Sequence, residues 1–264
     1  ALYWPLTQTV RSTVHGPVLE TDHGLYALRF AGHKEIRQPE QWYAMNRATN
    51  LEAWQAAMDL NAIASFNFVY GDRAGNIAFV HNSRSPLRAP DWDWRKRLPG
   101  DRSDLIWEQT QGFRDNPQVL NPASGFVLSA NQSPFAVTAP GDNPDSEAFP
   151  PELGLQSRMT NRADRGLQLF ASLPKVSAED FKAIKFDKAY AARSRSMGYV
   201  DSAQALEAEA GSLLAAAKTV LAAWDRNTDL DNPGAALGVC VLSEEWLAER
   251  AGREPAAIEV QLRS

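Results

Sequence analysis

The sequence is poor in the residues from which disulfides and zinc sites are built. It has one cysteine, Cys240, so no disulfide can form within the chain, and one cysteine with four histidines does not support a cysteine–histidine zinc site. Because Cys240 lies in the apolar stretch GVCVL, we expect a buried, unreactive thiol. A chain without disulfides is compatible with either the cytosol or the periplasm, so the compartment stays open.

Long apolar runs and long basic stretches are also missing. No apolar stretch approaches the ~20 residues of a membrane-spanning helix. The net charge is −5, and no run of lysine and arginine is long enough to suggest a polyanion partner, which argues against nucleic acid. A hydrophobic content of 44% over 264 residues is enough for a packed core, in one large domain or two small ones.

Several motifs of well-known catalytic sites are absent. The sequence contains no G-x-S-x-G, no phosphate-binding P-loop, no G-x-G-x-x-G and no H-E-x-x-H. The acidic stretches DWDW and GDNPDSE lack the spacing of a calcium-binding EF-hand, and solvated loops are the simpler interpretation. Composition and spacing alone therefore indicate no particular chemistry.

The pattern along residues 1–150 is typical of β-strands with a few helices. Residues 1–30 are predicted as short strands with a bend at His15-Gly16-Pro17, and alternating aromatic residues predict a β-hairpin over 65–82. Between them, Asn50 is expected to cap a helix. Residues 83–120 read as an ordered, aromatic-rich loop, and the segment 121–135 as a turn followed by a strand.

Residues 151–264 are predicted to form the mainly helical part of the same domain. Helical spacing appears over 157–173 and 232–251, and residues 202–225 read as one long alanine-rich helix. Ser177 and Asp180 match a capping box, which marks the start of another helix. The sequence thus indicates an α+β fold.

Seven segments, taken in order, resemble the β-chain of the penicillin acylase family. Their order and rough spacing agree with the family along most of the chain. They are RSTVHGPVL (11–19), NFVYGDRAGNIAF (67–79), SPLR (85–88), LPGD (98–101), NPASGFVLSANQSPF (121–135), SRMTNRADRGLQLF (157–170) and LAAWDRNTDLDNPGAAL (221–237).

The resemblance implies an N-terminal-nucleophile hydrolase with an αββα sandwich fold. In this family a precursor cuts itself, and the serine that then begins the β-chain attacks a linear amide. Its α-amine titrates near ~8, which suits a base at neutral pH. The implied activity is an amidohydrolase that removes an acyl group from a β-lactam, an acyl-homoserine lactone or a related N-acyl compound through an acyl-enzyme.

The same resemblance implies that the chain is an internal piece of the β-chain. It begins with Ala1, and its first matching segment, 11–19, lies downstream of the nucleophile in the family. We therefore expect the serine, the α-chain and the rest of the β-chain to lie outside this sequence, and the piece alone to be inactive. The implied partners are those chains and a small N-acyl substrate, with no nucleic acid and no membrane.

Two catalytic residues are carried over from the family. Asn131, just before Ser133-Pro134, matches the asparagine whose side chain donates to the oxyanion. Arg158 is the best match for an arginine at the start of the following helix, and Arg162 is the second choice. Without the resemblance, Asn131 reads as an asparagine that caps a turn at the end of a strand.

The binding residues are less specific. Phe66, Phe68 and Trp107 are candidates for an apolar acyl pocket, although each of them also fits a core position. No cofactor is expected to be required. A structural calcium in the parent protein is possible in this family, and Asp142 and Asp145 lie about where its aspartate is expected.

The cellular location is also an expectation from the family resemblance, and two alternative functions stay open. Members of the family are usually periplasmic or secreted, and we expect the same here. One alternative is a non-catalytic binding module that holds a ligand or protein with the aromatic loop 83–120. The other is an inactive acylase homologue.

Overall fold

The computed structural model describes residues 9–261, whose contacts fall into two compact units. The first unit runs to residue 127 and includes 141–156, and the second consists of 128–140 and of the chain from 157 onward. The predicted division of the chain near residue 150 into a β-rich and a helical part stays a prediction. In the structure, the contacts of segment 128–140 group it with the later helices. Both α-helices and β-strands are present, which confirms the α+β class.

The first unit begins with a small antiparallel sheet. Its strands are β1 (Ser12–Thr13), β2 (Gly16–Thr21) and β3 (Gly24–Ala27), in the order β1-β2-β3. Gly16 has φ +141°, and a Cβ there would lie 2.2 Å from the carbonyl oxygen of Leu28, so only glycine fits. The strand predicted for residues 1–8 lies outside the described residues.

Two helices follow, α1 (Gln38–Arg47) and α2 (Leu51–Met58). Asn50 caps α2 as predicted, because its Oδ1 accepts a hydrogen bond of 2.8 Å from the amide of Ala53. The fully buried Gln41 accepts from the amides of Ala62 and Ile63 at 2.7 and 3.0 Å. Gln41 thus fixes the chain where it leaves α2 for the next strand.

The predicted hairpin is confirmed as β4 (Ser65–Gly71) and β5 (Ile77–Ser83). A third antiparallel strand, β6 (Gln118–Leu120), pairs with β5 and was not predicted, because it lies in the segment read as loop. The rest of 83–120 is irregular apart from two short 3₁₀ helices. Further 3₁₀ turns occupy Ser146–Ala148 and Pro151–Leu153.

The second unit is helical. Its helices are α3 (Asn161–Ala171), α4 (Ala178–Lys185), α5 (Met197–Ala205), α6 (Leu213–Ala223), α7 (Ala235–Arg250) and α8 (Ile258–Gln261). The capping box of Ser177 and Asp180 at the start of α4 is confirmed. Among the described residues, no helix is long and apolar enough to cross a membrane.

Two predictions for this unit are wrong. The single long helix over 202–225 is broken between α5 and α6, where Gly211 takes a left-handed conformation and Ser212 caps α6 through its hydroxyl. Cys240 is exposed rather than buried, because α7 packs its neighbour Val241 into the core instead. That core includes Trp224, whose ring leaves no room for a Cβ at Gly238.

Candidate functional site

The segment that carries Asn131 is a loop and not the predicted end of a strand. Residues 126–128 form no strand, and the amide of Leu128 donates a hydrogen bond of 2.8 Å to the carbonyl of Val137 on the other side of the loop. The backbone groups that a neighbouring strand would have satisfied are bound by a side chain instead. The strand prediction for this segment is therefore corrected.

The side chain responsible is Gln132, which is 2% exposed. Its Oε1 accepts from the amide of Ala130 at 2.6 Å, and its Nε2 donates to the carbonyls of Leu128 and Ala136 at 3.1 and 3.0 Å. Buried amide groups must be paired in this way, because an unmade hydrogen bond would cost about 1–3 kcal/mol. Gln132 thus holds together the loop on which Asn131 lies, a role that the sequence pattern did not reveal.

Asn131 itself is exposed and adopts a left-handed backbone conformation with φ +59°. Asparagine takes this conformation more readily than most residues, since its short polar side chain tolerates it. The residues on either side of Asn131 are joined by a hydrogen bond, in which the amide of Ala130 donates to Oε1 of Gln132. This bond fixes the backbone on both sides of Asn131. The position of the Asn131 side chain is therefore set by the loop.

The orientation of the Asn131 amide is set by Arg162. The Nη2 atom of Arg162 donates to Oδ1 of Asn131 over 3.1 Å. A guanidinium group has donors only, so it must face the amide oxygen, and the NH₂ group of Asn131 remains as a donor for another molecule. Among the residues that the structure describes, Asn131 makes no other side-chain hydrogen bond.

The start of α3 brings Arg162 to this loop. Thr160 caps the helix, accepting from the amide of Ala163 at 3.2 Å, and its hydroxyl also donates to the carbonyl of Ala130 at 3.4 Å. One side chain therefore joins the helix terminus to the loop. As a result, Arg162, in the first turn of α3, reaches Asn131.

Arg158, the arginine that the family resemblance favours, lies before the helix and not at its start. The helix begins at Asn161, and the carbonyl of Arg158 accepts from the amide of Ser133 at 3.3 Å. The backbone of Arg158 thus supports the same loop, while the side-chain contact with Asn131 comes from Arg162, the second choice. The assignment of a catalytic role to Arg158 stays a prediction.

The three candidate pocket residues lie in the first unit. Phe68 is buried and belongs to a hydrophobic core, whereas Phe66 is exposed, and both rings meet Trp42 at centroid distances of 5.3 and 5.9 Å. The ring of Trp107 lies under the guanidinium group of Arg29, 4.4 Å from ring centroid to Cζ. Phe66 and Phe68 thus share one aromatic cluster, and Trp107 has a different partner.

Two further tryptophans of the loop 83–120 are likewise covered by arginine. Arg88 lies 5.4 Å from the ring centroid of Trp94, and Arg102 lies 5.5 Å from that of Trp92. In each contact a guanidinium group covers one face of the tryptophan ring, and both partners belong to the loop. The aromatic faces on which a binding module would depend are therefore partly occupied by the chain's own side chains.

The carboxylates of Asp142 and Asp145 order loops and do not form a ligand set. Oδ2 of Asp142 accepts from the amide of Ser124 at 2.8 Å, and Oδ1 of Asp145 accepts from the amide of Glu147 at 3.0 Å. Calcium needs six to eight oxygen ligands, and the described part of the chain has no group of three or more acidic, histidine or cysteine residues suited to a metal ion. The residues seen here do not fit a calcium site by themselves, so the calcium of the parent protein stays a prediction.

Comparison with known proteins gives consistent matches. A family model described as Penicillin amidase matches residues 5–255. A curated penicillin G acylase from Escherichia coli is 33% identical over 177 residues, which cover 66% of this chain and 20% of that protein. A penicillin acylase 2 proenzyme from Pseudomonas sp. (strain SE83) is 27% identical over 46% of this chain and 14% of that protein.

A solved structure agrees with these matches. The thermostable penicillin G acylase from Alcaligenes faecalis superposes with a TM-score of 0.62 and 25% sequence identity, over 85% of this chain and 39% of that one. The chain therefore spans about a fifth or less of the two curated relatives and two fifths of the solved one. Over most of its length it has the fold of a penicillin acylase.

Proposed function

The chain belongs to the penicillin amidase family, and we propose that it supplies the oxyanion-binding part of an amidohydrolase that works through an acyl-enzyme. The proposed substrate is an N-acyl amide, a class that includes the penicillins after which the relatives are named. The nucleophile of the proposed reaction is an N-terminal serine outside the sequence described here. The activity belongs to the whole protein, of which this chain is one part.

The chemistry defines what Asn131 has to do. The serine Oγ attacks the amide carbon and gives its proton to the serine's own α-amine, which leaves a negative charge on the former carbonyl oxygen. The C–N bond then breaks, the proton passes to the leaving amine, and water later releases the acid from the ester. A fixed N–H donor at the negative oxygen lowers both barriers.

The observation that carries the proposal is the hydrogen bond from Arg162 to Oδ1 of Asn131. This bond selects the amide orientation in which Nδ2 is the free donor. A donor that is already oriented needs no reorganisation when charge develops, which is the source of the catalytic effect of an oxyanion hole. Gln132 supports the arrangement by fixing the loop backbone on both sides of Asn131.

The proposal also concerns the other parts of the protein. One curated relative is named a proenzyme, which supports a precursor that is processed into chains. We expect the serine and the remaining walls of the substrate site to come from such parts. The parent protein is expected in the periplasm or outside the cell, as proposed from the family resemblance.

Hydrolysis of a chromogenic acyl amide tests the function. The protein expressed from the complete gene is expected to release the chromophore, and the 264-residue chain expressed alone is expected to be inactive. Failure of the complete protein to turn over a panel of N-acyl amides would leave an inactive homologue as the better description. Turnover by the chain alone would contradict the assignment of the nucleophile to another part of the protein.

A further inference from the structure

A cleft of about 530 Å³ lies within the second unit, next to the loop of Asn131. Helices α3 and α4 form two of its sides, Leu128–Ala130 and the segment 187–190 contribute further walls, and Arg162 lies on its lining. Its volume is within the range of about 300–1,000 Å³ that is usual for small-molecule sites. The function proposed above does not use this cleft, apart from Arg162.

One part of the lining is apolar. Leu169 and Phe170 come from the last turns of α3, Ile184 comes from α4, and Leu128 comes from the loop. These side chains are the kind of surface that binds a hydrocarbon or aromatic body by removing it from water. The ligand should therefore have an apolar part of a few carbon atoms or one ring.

The remaining lining is strongly basic, and part of its charge is compensated within the chain. Arg165 makes two hydrogen bonds to the carboxylate of Asp187, at 2.8 and 2.7 Å, and Arg165 is also the main reason why the pKa of Asp187 lies below its ordinary value. Lys188 binds Asp229 at 2.6 Å. These two cations are thus paired with carboxylates.

Two further cations on the lining have no such partner. Arg162 binds the neutral amide of Asn131, and Lys185 lies 5.6 Å from the ring centroid of Phe186. Within the described residues, neither of them makes an ion pair. The cleft therefore combines an apolar wall with two uncompensated positive charges, a combination that attracts an anion with an apolar body.

We propose that this cleft binds a small organic carboxylate, with the acid group between Arg162 and Lys185 and its apolar body against Leu169, Phe170 and Ile184. Arg162 provides planar donors suited to a carboxylate, and Lys185 provides a point charge. The same Arg162 contacts Asn131, so the bound acid lies beside the proposed oxyanion site. Only this last consequence rests on the proposed function, because binding itself needs no chemistry.

Calorimetric titration of the protein from the complete gene with 4-phenylbutyrate, and with the uncharged 4-phenylbutanamide, tests the inference. The carboxylate is expected to bind at least about fivefold more tightly than the amide, because only the carboxylate meets the two charges. The substitution Lys185→Gln is expected to remove most of this preference and to leave binding of the amide unchanged. Lys185→Arg is expected to retain the preference.

Lys182→Gln is the matched control, because Lys182 lies on the same helix but does not line the cleft. It should leave the affinities for both compounds unchanged. Equal affinities for the acid and the amide, or equal effects of Lys185→Gln and Lys182→Gln, would overturn the proposal, as would the absence of any binding. Carboxylate binding by a protein that hydrolyses no N-acyl amide would contradict only the proposed function.

Discussion

Arg162 donates a hydrogen bond of 3.1 Å to the amide oxygen of Asn131, from the first turn of a helix to a loop 31 residues earlier in the chain. The bond turns the side-chain oxygen of Asn131 toward Arg162 and leaves its NH₂ group as the outward-facing donor. The structure also shows what holds each partner in place. Gln132 supports the loop, and Thr160 joins the loop to the helix terminus.

Replacing Arg162 tests whether it positions Asn131. The variant Arg162→Ala is expected to lower kcat for amide hydrolysis about tenfold while changing KM little, because the donor loses its orientation before the charge develops. Arg162→Lys should recover part of the loss, since an ammonium group can still donate to Oδ1. The measurement is steady-state kinetics on a chromogenic acyl amide.

Arg158→Ala is the natural comparison for the Arg162 variants. The family resemblance favours Arg158, whereas the observed side-chain contact favours Arg162. A larger loss of kcat in Arg158→Ala than in Arg162→Ala would show that the resemblance identifies the more important arginine. The reverse order is what the contact with Asn131 predicts.

Gln132→Ala is expected to destabilise the protein by about 2–4 kcal/mol, because it leaves the groups of Ala130, Leu128 and Ala136 without their partner. Urea unfolding measured by circular dichroism gives the change in the free energy of unfolding. Gln168→Ala, at an exposed position of α3, serves as the control and should change it by less than about 0.5 kcal/mol. Similar values for the two variants would contradict the role of Gln132 in the loop.

Glu35 provides a pH-dependent contribution to the stability of the first unit. Hydrogen bonds from Arg37, together with the positive charge of Arg84 at 3.1 Å, lower the pKa of Glu35 from 4.5 to about 2. A carboxyl group with a lowered pKa stabilises the fold above its ordinary pKa, and this stabilisation disappears as the pH falls through the lowered value.

The variant Glu35→Gln should therefore be less stable than the parent at pH 7, and the difference should shrink between pH 4.5 and about pH 2. Thermal unfolding at several pH values measures this difference. Glu52→Gln, at an exposed position of α2, is the control. A difference that stays constant down to pH 2 would show that Glu35 does not stabilise the fold through its charge.

Gly166→Ala is expected to raise the free energy of unfolding by about 0.5–1 kcal/mol, because alanine restricts the unfolded chain and favours the helix. The position allows the change, since a Cβ at Gly166 would lie 3.4 Å from the methyl groups of Leu128, an ordinary contact distance. Chemical denaturation measures the effect. A loss of stability would mean that the packing of α3 on Leu128 is tighter than the structure indicates.

Features that depend on neighbouring residues could be predicted from the sequence. The cap at Asn50, the capping box at Ser177 and the hairpin over 65–82 each need only a short pattern, and all three are confirmed. The family could also be recognised, because ordered segments such as 121–135 carry it even where each one is weak.

Features that depend on distant contacts could not be predicted. The strand Gln118–Leu120 is too short to produce a pattern and exists because β5 offers it a partner. Gln132 looked like an ordinary neighbour of Asn131, and its three hydrogen bonds appear only once the loop is folded. Cys240 has apolar neighbours in sequence, but the rotation of α7 in its packing decides which of them is buried.

The most direct measurement of the central claim is kcat for Asn131→Ala in the protein expressed from the complete gene. Loss of an oxyanion donor is expected to lower kcat by about 10²–10³ with little change in KM. Asn46→Ala, at an exposed position of α1, is the control and should leave kcat unchanged. If Asn131→Ala hydrolysed the amide as fast as this control, Asn131 would not stabilise the oxyanion, and the proposed function of this chain would be wrong.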